Sequence, residues 1–525
     1  MPQTKLNCMD DFILSIDAGT QSIRATIFNA KGDLLAIEKT QIEPYFSTQP
    51  GYSEQDPDYY WDTLINTTKS LLSRFTEINQ IKAATITTQR GTVINLDKNG
   101  DPLRPAIVWL DQRKAKVEKY PGPVMTTGFW AVRMLGTVKQ VIRDSEANWI
   151  RQNQTEIWNK TDKFLYLSGY FISRLVGKYV DSVGSIVGYV PVNYKKQRWA
   201  KKSEKNYKMF PIERQKLPDL VHPSEILGYI TEDASIKTGI PAGIPLMASA
   251  SDKACEALGS GVIEPNIAAL SYGTTATIQT VNRNYFEVIP YIPPYPSAIP
   301  GYYNTEMMIH RGFWMIRWFK NEFGFKEVKE AEKLNIEPEG LFDEMLDSVP
   351  PGSMGLTLQP YWSPGVKIPG SEAKGAVIGF GDVHTRAHVY RAIIEGLAYA
   401  LKDGALQTQN RSGNTIRKVC VSGGGAQSPH ILQITSDIFN LPVDKPKVTE
   451  TSALGAAINA AVGIGLYSDF QTAVDNMTSV DQTFQPDKAN KEIYRELFEN
   501  VYMKMYKRLK PLYSSIKDIT RYPKD

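Results

Sequence analysis

Short apolar runs ending in polar turns alternate with longer stretches of helical spacing. Phe12 to Ile16 is apolar and stops at Asp17-Ala18-Gly19-Thr20-Gln21-Ser22. Ile23 to Phe28 then alternates, and Lys31-Gly32-Asp33 turns the chain into Leu34 to Ile37. This predicts a strand meander. Tyr59 to Ile78 carries a helical spacing through Trp61, Leu64, Ile65, Thr68, Leu71 and Leu72. Ile81 to Thr87 predicts a strand opening into Thr88-Gln89-Arg90-Gly91. Val93 to Leu96 follows, and Ala106 to Leu110 leads into Asp111-Gln112-Arg113. Residues 123–240 read mainly as helix, most clearly Trp149 to Val176. The class is α/β with mixed sheets.

The stretch Leu246 to Thr280 carries the densest signal. An apolar run ends in Ser249 to Ser251 and Asp252, and a small-residue helix follows until Gly259 and Gly261. Ile267 to Leu270 rises as a strand and turns at Gly273-Thr274-Thr275 into Ala276 to Val281. This repeats the plan of Ile13 to Asn29, a short internal echo. Residues 282–305, with YIPPYPSAIPGYY, read as a surface loop or lid. Trp314 to Leu346 reads as helix, 350–375 as a second irregular stretch, and His388 to Thr408 as a helix. Lys418 to Val421 is a strand leading into Ser422-Gly423-Gly424-Gly425-Ala426. Thr451 to Gly465 is a small-residue helix suited to close packing, and an amphipathic helix runs from about Ala489 to Leu509.

At 525 residues the chain suggests two large domains, divided at 1–262 and 263–525. A net charge of +4 without basic blocks gives no sign of nucleic acid. Cys8, Cys255 and Cys420 are far apart and fit a reducing compartment. The five histidines form no ligand pattern, which argues against a transition-metal site. No run approaches membrane-spanning length and the N-terminus lacks an apolar h-region. The expectation is a cytoplasmic protein with no membrane partner.

Three glycine-bearing turns follow strands, at 17–22, 271–275 and 422–426. None is a P-loop or a dinucleotide fingerprint. Backbone N–H groups at such turns can hold phosphate oxygens. An Asp at a helix start, Asp252, can accept a hydroxyl proton. The pairing suggests phosphoryl transfer to an alcohol; the plain alternative is an N-cap Asp and an ordinary Gly-Thr hairpin. Asp17, ending a buried strand, is costly without a cation or donors. An Mg²⁺ carried by ATP and held through water fits there, as do hydrogen bonds from its own loop.

On these motifs the chain resembles the FGGY carbohydrate kinases of the actin-like ATPase superfamily. ILSIDAGTQSIRATIFNAKGD is similar to the family's first phosphate motif, SASDKACEALGSG to its catalytic-Asp segment and ALSYGTTATI to its second phosphate motif. GAVIGFGDVHTRAHVYRAIIEG resembles its C-terminal signature, and VCVSGGGAQSPHILQITSDIFNLPV its adenosine motif. The N-terminal signature is half present, with Arg143 and Glu146 at positions where a small residue and a Lys are expected. The resemblance implies two actin-like (ribonuclease H-like) domains with ATP·Mg²⁺ in the cleft between them and a small sugar or polyol as acceptor. Asp252 would be the general base and Asp17 would orient Mg²⁺ through water. Thr20, Gln21, Ser22 and Arg24 would surround the terminal phosphates from one lobe, with Gly273 and Thr274 from the other. Gly424, Gly425 and Ala426 would lie against adenosine. A homodimer stays open.

Candidate acceptor contacts are Gln89, Arg90, Trp109 and Asp111 at strand ends of the first lobe. Arg and Asp offer donors and acceptors for hydroxyls, and Trp an apolar face. Gly91 after the Gln-Arg pair departs from both the glycerol and the xylulose branches, which leaves another sugar, a polyol or a small signalling hydroxyketone open. Two other classes compete with the kinase: an actin-like protein that binds ATP without transfer, and a sugar-binding or isomerising protein without nucleotide.

Overall fold

The structure, a computed structural model, describes residues 11–117, 123–131, 134–336, 338–363, 365 and 369–522. Cys8 and parts of the stretch 350–375 lie outside the described residues. β1 (Phe12–Ala18), β2 (Ser22–Phe28) and β3 (Leu34–Gln41) form the expected meander. β1 is buried along its whole length, as befits a central strand covered on both faces. β3 alternates half-buried with exposed positions and forms the sheet edge. β4 (Ile81–Thr88), β5 (Ile226–Tyr229) and β6 (Pro245–Ala248) complete a sheet of order β5-β6-β4-β1-β2-β3. β4 runs parallel to both β1 and β6.

Two compact units divide the chain, neither continuous in sequence. The first comprises residues up to Ile263 with Asn282–Asn304 and Glu450–Ser479. The second comprises Glu264–Val281, Thr305–Thr449 and the chain from Val480. Its sheet contains β7 (Ile267–Tyr272), β8 (Ala276–Asn282), β9 (Tyr303–Ile309), β10 (Lys418–Ser422), β11 (Val443–Pro446) and β12 (Val480–Phe484), in the order β9-β8-β7-β10-β11-β12. β7 is antiparallel to β8 and parallel to β10, and β10 is parallel to β11, which is antiparallel to β12. The first sheet has the same sequence of pairings from β2 through β1, β4 and β6 to β5. The echo read in two short segments is therefore a repeat of a whole sheet plan.

Helix α1 (Pro57–Leu72) starts where Asp56 accepts the N–H of Asp58 and Pro57 needs no donor partner. It ends at Leu72, short of the expected Ile78, where the chain turns and Phe75 packs edge-on against Phe12 at 5.6 Å. α2 (Asp252–Gly259), α3 (Arg386–Ser412) and α4 (Thr451–Gly463) matter most for the site. α4 lies in the first unit, where Ser15 Oγ donates to the Ala453 carbonyl at 2.8 Å. It crosses α2 backbone against backbone: a Cβ on Gly259 would stand 1.9 Å from Thr451 O, and one on Gly455 1.9 Å from Cys255 O. The two glycines permit that approach.

Several expectations are corrected. Residues 123–240 are helical through most of 123–176, but short strands interrupt them and irregular chain dominates beyond. Lys163–Tyr166 is a strand paired antiparallel with Val93–Leu96, and Val180–Ser182 pairs with Asp219–Val221. Short apolar runs such as KFLY have no decisive period, and an available strand edge captures them. In the run Ala106 to Leu110 only Ala106–Ile107 is a strand, because Asp111 N–H turns back to Val108 O at 2.9 Å. Trp314 to Leu346 breaks into Trp314–Phe323, Phe325–Leu334 and Pro338–Asp347, at Gly324 and at Asn335 with φ 53°. The segment 282–305 is not merely a surface loop: residues 294–299 are buried and Tyr295–Pro296 pairs with Tyr303–Asn304. In the stretch 350–375, Thr357–Gln359 is a strand paired with Ala376–Ile378. The closing helix contains a π-helical stretch at Leu497–Tyr502 and reaches Thr520.

Candidate active site

Parallel neighbours end on the same side of a sheet, so the three turns after β1, β4 and β6 are brought to one edge. Asp17 is level with Thr87, Ala18 with Thr88, and Ala248 with Ile86. That edge receives Asp17 to Ser22, Gln89-Arg90 and Ser249 to Asp252. Ligands bind in just this region of α/β sheets, beyond the carboxyl ends of parallel strands.

Asp17 is almost fully buried, its side chain 7% exposed, and its Oδ2 accepts from Arg24 Nη1 at 3.2 Å. Arg24 Nε also lies 3.3 Å from Glu450 Oε2, contributed by the residue before α4. Burial lifts the Asp17 carboxyl to about 7; Arg24 opposes the rise, while the charges of Asp252 and Glu450 add to it. Asp252 is the first residue of α2, with Ser251 in the cap position. Its Oδ1 accepts the N–H of Lys253 at 2.7 Å and lies 3.8 Å from Arg90 Nε. A quarter of its side chain is exposed. Burial raises its carboxyl as well, with Arg90 and Lys253 opposing.

Side chains from three loops join in one hydrogen-bonded chain. Trp109 Nε1 donates to Thr20 Oγ1 at 3.0 Å, Thr20 Oγ1 donates to Gln89 Oε1 at 3.0 Å, and Gln89 Nε2 donates to Tyr60 OH at 3.3 Å. Trp109 is 41% exposed, so it is not a core residue. Ser22 is buried, its carbonyl accepting Gly19 N–H at 3.0 Å; Gln21 is exposed, its carbonyl accepting Ile42 N–H at 2.9 Å. The turn is thus closed by its own backbone.

Asp111 does not face an acceptor, contrary to expectation. Its side chain is 4% exposed, and its oxygens accept from Arg113 Nε at 2.8 Å, Arg113 Nη2 at 2.7 Å and Ser53 N at 2.7 Å. Arg113 in turn lies over Tyr52 at 3.9 Å and Trp149 at 4.6 Å, and reaches Glu54. The pair is a buried anchor for the loop that carries Trp109.

In the second unit the same strand logic joins the other two turns. Ser271 at the end of β7 is level with Ser422 at the end of β10. Gly273 O accepts Phe313 N–H at 3.0 Å and Thr274 O accepts Trp314 N–H at 3.3 Å, so the turn is tied to the start of a helix. Phe313 stacks on Tyr272 at 4.4 Å. A Cβ on Gly425 would meet the Phe313 ring at 2.2 Å, whereas one on Gly424 would meet nothing within 4 Å. Ala426 is buried, its N–H bonded to Gly423 O at 3.1 Å.

Glu450 and Tyr60 were not anticipated as site residues. An acid heading a small-residue helix is the one signal that could have pointed to Glu450. Among the described residues no group of three or more His, Cys, Asp or Glu is placed to hold a metal. The donors present are two hard carboxylates, Asp17 and Asp252, whose mutual repulsion a divalent cation would relieve. This fits a Mg²⁺ that arrives with phosphates and retains much of its water.

The raised Asp17 has a consequence for stability. Between about pH 4 and about 7 the folded chain holds a proton that the unfolded chain has lost, so stability falls as pH rises through that window. Asp17→Asn removes the buried charge. The metal-free variant is expected to gain about 1–3 kcal/mol at pH 8, a gain that shrinks toward pH 4. Urea unfolding at both pH values measures it; a loss at pH 8 would mean that the bond to Arg24 outweighs burial.

Comparison with known proteins accords with this geometry. Family models match residues 12–259 to the N-terminal domain and residues 268–464 to the C-terminal domain of the FGGY family of carbohydrate kinases. The uncharacterized sugar kinase YgcE of Escherichia coli (strain K12) is 29% identical over 94% of this chain and 93% of its own length. A xylulose kinase of Staphylococcus epidermidis (strain ATCC 12228) is 29% identical over 97% of this chain and 99% of its own. A ligand-bound xylulose kinase from Lactobacillus acidophilus shares the fold, with a TM-score of 0.81 over 96% of this chain and 99% of its own at 21% identity. No helix among the described residues is long and apolar enough to cross a membrane. With both family domains matched in order along the chain, this protein belongs to the FGGY family of carbohydrate kinases.

Proposed function

We propose that the protein transfers the γ-phosphoryl group of ATP to a hydroxyl of a small sugar or polyol, a ketose such as a pentulose or a sugar alcohol. The observation that carries this reading is Asp252, a carboxylate at the open end of β6, partly exposed and set beside Arg90. The names of the relatives, a sugar kinase and a xylulose kinase, support the acceptor class. In this reading the acceptor oxygen attacks the γ-phosphorus, the bond to the β-phosphate oxygen breaks, ADP leaves, and Asp252 takes the hydroxyl proton. The transition state is loose, so positioning and charge neutralisation dominate and an ordinary carboxylate suffices as base.

Residues 1–262 supply acceptor binding, the first phosphate turn and proton transfer, and 263–525 the second phosphate turn and the adenosine contacts. Thr20, Gln21, Ser22 and Arg24 meet the terminal phosphates, as do Gly273 and Thr274; Gly424, Gly425 and Ala426 meet adenosine. Gln89, Arg90 and Trp109 meet the acceptor, and Asp111 holds the Trp109 loop. Asp17 would orient, through water, a Mg²⁺ that comes with ATP, and such an ion would supply charge neutralisation at the phosphates. The cytoplasm supplies both.

An ATP-consumption screen with Mg²⁺ over pentuloses, hexuloses, pentitols, tetritols, glycerol and short hydroxyketones tests the reading. One acceptor class is expected to drive ADP release well above the rate with ATP alone. ATP binding without any such acceptor would favour a binding protein, and no ATP-induced thermal stabilisation would remove the kinase reading altogether.

A further inference from the structure

The segment Asn282–Asn304 follows the second phosphate turn in sequence but belongs to the first unit. It is fastened there at its far end. Gln197 Nε2 donates to Tyr302 O at 2.9 Å, and Tyr303 OH donates to Lys195 O at 2.7 Å. Tyr303 and Asn304 pair with Pro296 and Tyr295 in a two-residue antiparallel ladder. The ladder fixes Tyr295, which is only 6% exposed. Its ring lies under the Arg90 guanidinium at 5.2 Å, and Arg90 Nε is 3.8 Å from Asp252 Oδ1. The backbone before Asp252 is held as well: Ser251 N–H donates to Gly184 O at 3.0 Å. Gly184 must be a glycine, since a Cβ would stand 2.7 Å from that of Ala250. A segment remote in sequence thus reaches the arginine that flanks the base.

We infer that Tyr295 is a specificity-determining positioning residue: its ring fixes the Arg90 guanidinium beside Asp252, and so sets how tightly the acceptor is held. A guanidinium confined over an aromatic face keeps its N–H fork in one plane. A hydroxyl brought to Asp252 then meets donors at a fixed angle, and misplacement by about 1 Å can cost roughly 10²-fold. Without the ring, one constraint on the Arg90 guanidinium is lost, and the acceptor no longer meets its N–H groups at a fixed angle. ATP binding, which uses the other turns, does not depend on Tyr295.

The inference rests on the kinase reading, and its test separates the two. With the acceptor found in the screen, Tyr295→Leu is expected to raise the acceptor KM about tenfold or more and to leave the ATP KM within about twofold. Tyr295→Phe keeps the ring and is expected to restore the wild-type acceptor KM. In an Arg90→Ala background, Tyr295→Leu is expected to add little, because the tyrosine acts through that arginine. An unchanged acceptor KM, equal effects of Leu and Phe, or additive effects in the double variant would overturn the inference. A second arm needs no acceptor: urea unfolding of the same four proteins is expected to show coupling between Arg90 and Tyr295, and its absence would overturn the contact itself. Coupling present in an enzyme that phosphorylates nothing would count against the kinase reading alone.

Discussion

Asp252→Ala is expected to lower acceptor-dependent turnover by roughly 10²–10⁴-fold, the usual worth of a general base, with ATP affinity nearly unchanged. The asymmetry follows from position. Asp252 heads α2 at the end of β6, held by the Lys253 N–H at 2.7 Å and flanked by Arg90. It has no part in the turns assigned to the nucleotide. Asp252→Asn keeps shape and hydrogen bonding but cannot take a proton, so it should be nearly as damaging. The pH profile carries the same signature. Burial raises the Asp252 carboxyl above the ordinary carboxylate range, so kcat/KM is expected to fall as pH drops through that raised value. Steady-state kinetics with the screened acceptor, and ATP binding by calorimetry, read both quantities. Full activity in either variant would remove Asp252 from the chemistry.

The second large effect concerns stability. Gly455→Ala is expected to destabilise the protein by about 3 kcal/mol or more, at the upper end for an overpacked contact. The added methyl would stand 1.9 Å from Cys255 O and 2.9 Å from Gly259 N. Both neighbours are backbone, and neither can rotate away as a side chain could. The helices would have to separate, and α2 and α4 carry Asp252 and Glu450 at their starts, so loss of activity should accompany the loss of stability. Gly340→Ala is the control. That glycine lies in the helix Pro338–Asp347 with nothing within 4 Å of an added Cβ. The substitution is expected to be neutral or stabilising by up to about 1 kcal/mol. Urea midpoints for the two variants test the contrast; equal midpoints would mean that the crossing relaxes freely.

What was legible in the sequence follows from what each segment buries. The strand-and-turn segments around Asp17, Gly273 and Gly423 were readable because buried apolar runs stop abruptly at glycine and hydroxyl residues. Their convergence was not readable, since it depends on parallel pairing of β1, β4 and β6 across long stretches of chain. Asp111 was misread because a charged Asp-Gln-Arg turn looks solvent-facing. Only the aromatic faces of Tyr52 and Trp149 reveal that Arg113 is drawn inward. Glu450 and Tyr295 were missed for a shared reason: each reaches the first unit from a segment remote in sequence, and no local pattern encodes the destination.

The placement of α4 in the first unit bears on how the protein is made. α2 is synthesised long before α4, and its Gly259 face has no helix to pack on until Thr451–Gly463 leaves the ribosome. At about 5–20 residues per second that interval is roughly 10–40 s. The first unit therefore cannot finish folding until long after its own first stretch is translated, and a nascent chain carries an open seam while the intervening segment is made. A gene fragment ending near Ile263 should accordingly yield an incomplete, aggregation-prone product, and a fragment meant to fold alone would need Glu450–Ser479 joined back to it.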